Sequence, residues 1–190
     1  MEPLDPKFEQ ILAYLINPEG THATGDRPIC YLTYHPDQAL EVKTKEGNWE
    51  ARARSAGFTV ATLSLAQTLN QFFRTYPRRA GWQVYDQPDD WPAVEELYQD
   101  LAELVANQGV LEKAVLAEQE TLQNKAGRGL LLLTDLEGIH PFTRFGPIEQ
   151  RVYPSLTVPL VVLYPGKLTG SSLEFLNVYP PDGNYRSKHF

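Results

Sequence analysis

The sequence predicts an α/β fold, a three-layer sandwich in which helices flank a mostly parallel sheet of about five strands, the last at the edge. Three observations point there. Four short runs read as strands, ICYLTY at 29–34, FTVATL at 58–63, LLLLT at 130–134 and PLVVLY at 159–164, and the last two are apolar on both faces. A strand buried on both sides is what a parallel sheet covered by helices demands. Between the runs, apolar residues recur three and four positions apart, the helical period. Finally, only a short polar link separates the fourth run from LEFLNV at 173–178. That link is too short for a crossover helix, so this last strand is expected to be antiparallel or at an edge.

The elements follow in order. Phe8, Ile11, Leu12 and Leu15 share one helical face, and the helix should stop before Pro18. After a polar loop, the first strand ends at Pro36. Residues 37–56 read as helix with a break near Gly47, because glycine disfavours a helix interior. The second strand leads into a helix whose face carries Leu65, Leu69, Phe72, Phe73 and Tyr76. Residues 77–91, with two prolines, a glycine and three acids, read as an irregular loop. Val94, Leu97, Tyr98, Leu101, Leu104 and Val105 mark the next helix, with Asp90 as its N-cap and Gly109 at its end. A second amphipathic helix covers 110–123. The expected organisation is one α/β domain over 1–190, with 77–127 as a helical extension carrying a Pro/Asp-rich loop.

Composition removes several functions. The chain has 190 residues, with 17 Lys and Arg against 24 Asp and Glu, for a net charge of −7. Nucleic-acid binding through a generally cationic surface is therefore disfavoured. The lone Cys30 falls inside an apolar run and reads as a small buried hydrophobe. The start, MEPLDPKFEQ, lacks the basic-then-apolar order of a signal peptide, and no apolar run approaches a membrane span. A cytoplasmic location is expected.

Ligand sites in an open α/β sheet lie beyond the carboxyl ends of the strands. That places His35, Asp37, Asp135, Glu137 and His140 in contention, and they would gather if strands one and three were neighbours. Two imidazoles and three carboxylates could ligate a divalent metal for a hydrolase or nuclease. Their spacing matches no ligand motif, however, and acids at strand ends commonly serve as helix caps. No phosphate-binding glycine motif follows the first strand, and no GxSxG surrounds a serine. Ser64 can equally cap the helix that follows it. Arg74, Arg78 and Arg79 form a small basic cluster at a helix end, where cations complement the macrodipole. No catalytic residue, metal or cofactor is expected.

The C-terminal third is the most distinctive stretch. It runs through Gly138-Ile139-His140-Pro141-Phe142-Thr143-Arg144, a short helix, then Pro159-Leu160-Val161-Val162-Leu163-Tyr164-Pro165-Gly166, Leu173-Glu174-Phe175-Leu176 and Asn184-Tyr185-Arg186. This order resembles the BrxB family of bacteriophage-exclusion (BREX) defence systems, as does Tyr34-His35-Pro36-Asp37 at the end of strand one. The resemblance implies a small cytoplasmic protein encoded beside a large ATPase, a phosphatase-like protein and a DNA methyltransferase. It brings no catalytic activity and implies an assembly role among those partners. His140, Phe142, Arg144, Tyr185 and Arg186 are then the expected partner-binding residues. Loop side chains held by a rigid scaffold are common recognition sites.

Overall fold

The computed structural model describes residues 3–17, 29–85, 91–169, 172–177, 182–183 and 187–190. Helix α1 (Leu4–Ile16) precedes β1 (Ile29–Tyr34), a 3-10 turn (Pro36–Gln38) and α2 (Ala39–Ser55). Strand β2 (Phe58–Ser64) leads directly into α3 (Leu65–Thr75), followed by α4 (Arg79–Tyr85), α5 (Trp91–Gln108) and α6 (Val110–Gln123). Next come β3 (Arg128–Thr134), a 3-10 turn (Leu136–Ile139), α7 (Phe145–Val152) and a second such turn (Tyr153–Ser155). The described chain closes with β4 (Leu160–Thr169), β5 (Ser172–Phe175), β6 (Asp182–Gly183) and β7 (Lys188–His189).

The four apolar runs form adjacent parallel strands in the order β2-β3-β4-β1, and β7 continues the sheet beyond β1. Strand β4 sits at the middle. Val161 faces Leu132 on one side and Cys30 on the other, and Val162 faces Leu133 and Tyr31. Successive side chains point to opposite faces, so each strand feeds two cores. Tyr31, Leu131, Leu133, Leu160 and Val162 pack with α3, α6 and α7; Cys30, Leu32, Leu132, Val161 and Leu163 pack with α1 and α2. This is the α/β sandwich expected from the sequence.

Several local expectations change. Helix α2 passes through Gly47 without a break. Val42, Trp49 and Ala53 anchor one face of it, and burial of Trp49 against Phe8, rings 5.2 Å apart, outweighs the ~1 kcal/mol cost of one glycine. The stretch 77–91 is not wholly irregular. Arg79–Tyr85 is helical because Trp82 stacks on Tyr76 at 5.0 Å and meets the edge of Phe73 at 5.7 Å. Residues 86–90, including the expected cap Asp90, lie outside the described residues.

The fourth strand does not end at Tyr164. It runs through Pro165 and Gly166 to Thr169 and turns back as an antiparallel hairpin with β5. Gly166 is required there: a Cβ would lie 2.1 Å from the Glu174 carbonyl oxygen. The expected last strand, 173–178, is antiparallel as anticipated but stops at Phe175, where Leu176 and Asn177 take left-handed φ values of 55° and 58°. Its shortness follows from that turn.

Leu132 lies in β3 between β2 and β4 and is 1% exposed. We predict that Leu132→Ala lowers stability by about 2–5 kcal/mol through lost transfer energy and a residual cavity. A urea unfolding curve checks this, and a midpoint like that of the wild type would show that β3 is not central.

Candidate functional site

Beyond β3 the chain turns through Asp135, held in the left-handed region at φ 57°. Short polar side chains tolerate that conformation because they can bond locally, and Thr134 Oγ1 donates to Asp135 Oδ2 at 3.2 Å. Leu136 and Ile139 of the following turn are fully buried. Gly138 lets this turn press against α3: a Cβ there would sit 2.4 Å from that of Ala66. The strand-end loop is thus pinned before it emerges.

After the cis His140–Pro141 bond, Phe142 is half-buried, with its ring 5.0 Å from Phe73 and 5.9 Å from Tyr98. Arg144 is extended and half-exposed, at the position immediately before α7. Phe145, Ile148 and Val152 then bury the helix face. Glu149, 4% exposed, accepts a 2.5 Å hydrogen bond from the Tyr31 hydroxyl, which ties α7 to β1. Both ends of the loop are fixed, while His140 stays exposed between them.

The five candidate ligands do not converge. Strand β4 lies between β1 and β3, so the condition for their gathering is not met. His35 caps the 3-10 turn: its Nδ1 accepts from the Asp37 amide at 3.3 Å, and its own amide donates to Gln38 Oε1 at 3.4 Å. Asp37 is exposed, with its Oδ2 3.3 Å from His35 Nδ1. His140 belongs to the Phe142 loop. Asp135 and Glu137 instead join residues of β1, α2 and β2 that sequence reasoning had not selected. Among the described residues no group of three His, Cys, Asp or Glu is arranged to hold a metal ion.

The centre of that second group is Lys43. Its Nζ donates to Asp135 Oδ1 and Oδ2 at 2.7 and 3.0 Å and lies 3.2 Å from Glu46 Oε2. The Tyr34 hydroxyl reaches Glu137 at 3.5 Å. Burial would raise the Asp135 pKa, but hydrogen bonds from Lys43, Ser64 and Thr134, with the lysine charge, hold it below its ordinary value. Glu46 is pushed up, first by burial and then by repulsion from Asp135 and Glu137, which Lys43 only partly offsets. Burial, with Glu137 and Asp135 nearby, raises Tyr34 as well. One signal in the sequence could have found Lys43 and Glu46: they stand three apart on a helix, where opposite charges pair.

Ser64, at the end of β2, hydrogen-bonds Asp135 at the edge of this cluster. Ser64 Oγ accepts the Gln67 amide at 3.1 Å and caps α3. Cys30 is fully buried, and desolvation pushes its thiol up to about 12.

The family model described as BREX protein BrxB matches residues 85–190, more than half of the chain. The chain belongs to the BrxB family. Membership makes it a component of a BREX phage-defence system. The BrxB match spans α5, α6, β3, the Phe142 loop, α7, β4 and the hairpin, whereas β1, α2, β2 and α3 precede it. Tyr185 and Arg186 fall within the matched stretch but outside the described residues. No curated protein and no solved structure matched the chain. No helix among the described residues is long and apolar enough to cross a membrane.

Lys43 balances two carboxylates, Asp135 and Glu46, so its removal should show a defined pH dependence. Lys43→Met is expected to cost on the order of 1 kcal/mol near neutral pH. The depressed pKa of Asp135 gives stability that is present above the ordinary carboxylate range and lost as pH falls through the folded-state value. The gap between wild type and variant should therefore close below about pH 4, where the carboxylates protonate. Urea midpoints from neutral to acid pH check this, and a gap that widened in acid would contradict it.

Proposed function

We propose that this BrxB-family chain acts as a non-catalytic assembly component of its defence system in the cytoplasm. In this reading it uses the loop between β3 and α7 to contact the large ATPase, the phosphatase-like protein or the DNA methyltransferase. The observation that carries it is the state of that loop. Gly138 against Ala66, Phe142 against Phe73 and the buried face of α7 hold it at both ends, and His140 and Arg144 sit between those anchors. A half-exposed arginine on a loop fixed at both ends is suited to recognition, since little entropy is lost on binding. Asp135 and Glu46 at the sheet end, in contrast, are engaged with Lys43, and no metal-ligating group of three exists among the described residues. The metal-dependent hydrolase reading has no support.

Arg144→Lys separates recognition from folding, because lysine keeps the charge and loses the planar fork. The expected outcome is stability within about 0.5 kcal/mol of wild type, as for an ordinary surface substitution. Phage protection should fall, together with capture of partners encoded in the same system. Melting curves, plaque counts and affinity capture read these three quantities. A variant that protects cells as well as wild type would refute the role of Arg144.

A further inference from the structure

A second surface adjoins the loop and is left unused by the reading above. Phe73 meets Phe142 at 5.0 Å and Trp82 at 5.7 Å; Trp82 stacks on Tyr76; Phe72 touches both Phe73 and Tyr76; Phe142 touches Tyr98. The result is a continuous chain of six rings drawn from α3 and its C-cap Tyr76, α4, α5 and the Phe142 loop. None of these rings is fully buried, and Tyr98 is 44% exposed. Arg74 follows Phe73, and Arg78 and Arg79 stand between Tyr76 and Trp82. All three are exposed, and no ion pair to any of them occurs among the described residues.

In a chain of net charge −7, Arg74, Arg78 and Arg79 set three exposed cations next in sequence to these half-open rings, with no carboxylate partner among the described residues. Aromatic residues and arginine are the types enriched in the centres of protein interfaces. We propose that this aromatic–arginine surface docks an acidic protein segment, one that inserts an apolar side chain among the rings while its carboxylates pair with Arg74, Arg78 and Arg79. The proposal rests on the assembly role above and adds to it a second contact with a partner of defined chemistry. A nucleic-acid strand fits less well. Tyr76 and Trp82 lie face to face, 9° from parallel, so each ring gives one face to the other and not to a base.

Photo-crosslinking in cells carrying the whole defence system tests this. Tyr98→p-benzoylphenylalanine places the probe on the surface, and Leu40→p-benzoylphenylalanine, on exposed α2 of the opposite layer, serves as the control. The expected result is a crosslink from position 98, absent from position 40, that maps by mass spectrometry to an acidic segment of another protein of the system. Arg74→Gln, Arg78→Gln and Arg79→Gln together should reduce its yield at least about tenfold, with an unchanged melting temperature. Reversal of all three to Glu should abolish it. A crosslink to DNA, to a second copy of this chain or to a non-acidic segment would overturn the proposal. So would a yield indifferent to the arginines, or no crosslink at all while wild type still captures its partners. If wild type captures no protein of the system by any route, the assembly reading itself fails.

Discussion

The whole architecture depends on β4 lying between β3 and β1. This strand buries residues on both faces, and Val161 and Val162 are fully inaccessible. Its ladder positions two strands that come from distant parts of the chain. Its start is fixed by Gln119 of α6, itself buried, whose Nε2 donates to the Val158 carbonyl at 3.2 Å. Gln119 Oε1 in turn accepts the amides of Thr157 and Val158 at 2.9 and 2.8 Å. Leaving such buried amides unpaired would cost about 1–3 kcal/mol, so Gln119 defines where β4 begins. The close approach of Gly166 to the β5 backbone defines where its ladder changes from parallel to antiparallel. The boundary of the BrxB match falls between β1 and β4, yet these strands are paired along the whole of β1.

That insertion sorts the polar residues at the carboxyl end of the sheet into two groups. Toward α2, carboxylates, a tyrosine and a lysine satisfy one another, and what they contribute is local electrostatic balance. Toward α3 and α7, the chain leaves the sheet through a turn clamped by glycine and by buried leucine and isoleucine. It then carries an exposed histidine, a half-buried phenylalanine set against Phe73 and Tyr98, and a half-exposed arginine.

Much of the fold was legible because burial on both faces writes itself into local sequence. ICYLTY, LLLLT and the first half of β4 needed no partner to be recognised; FTVATL, at the sheet edge with only Phe58 buried, was legible from its β-branched and aromatic residues, and the helix at 110–123 is bounded by Gly109 and the polar residues after Gln123. Pairing order was not legible, since the apolar runs carry no label for their neighbours, and so the separation of His35 from Asp135 could not be foreseen. Local breakers also misled. Gly47 looks like a helix stop until Trp49 is seen buried beside it, and Pro165-Gly166 looks like a strand end until β5 folds back on it. Lys43 escaped notice because its partner Asp135 is 92 positions away, and the two-residue β7 is too short to have a pattern. Arg74, Arg78 and Arg79 were visible as a cluster, but only the packing of Trp82 on Tyr76 shows what surrounds them.

Native-state hydrogen exchange tests most directly whether β4 joins the chain into one cooperative frame. The account predicts that amides of Val161 and Val162 exchange at the slowest rate, together with those of β1 from Cys30 to Leu32 and of β3 from Leu131 to Leu133. All should open only with global unfolding and share one dependence on denaturant. If β1 and its covering helices exchanged faster, as a separate unit, while β3 and β4 stayed protected, β4 would not be the element that unites the two halves.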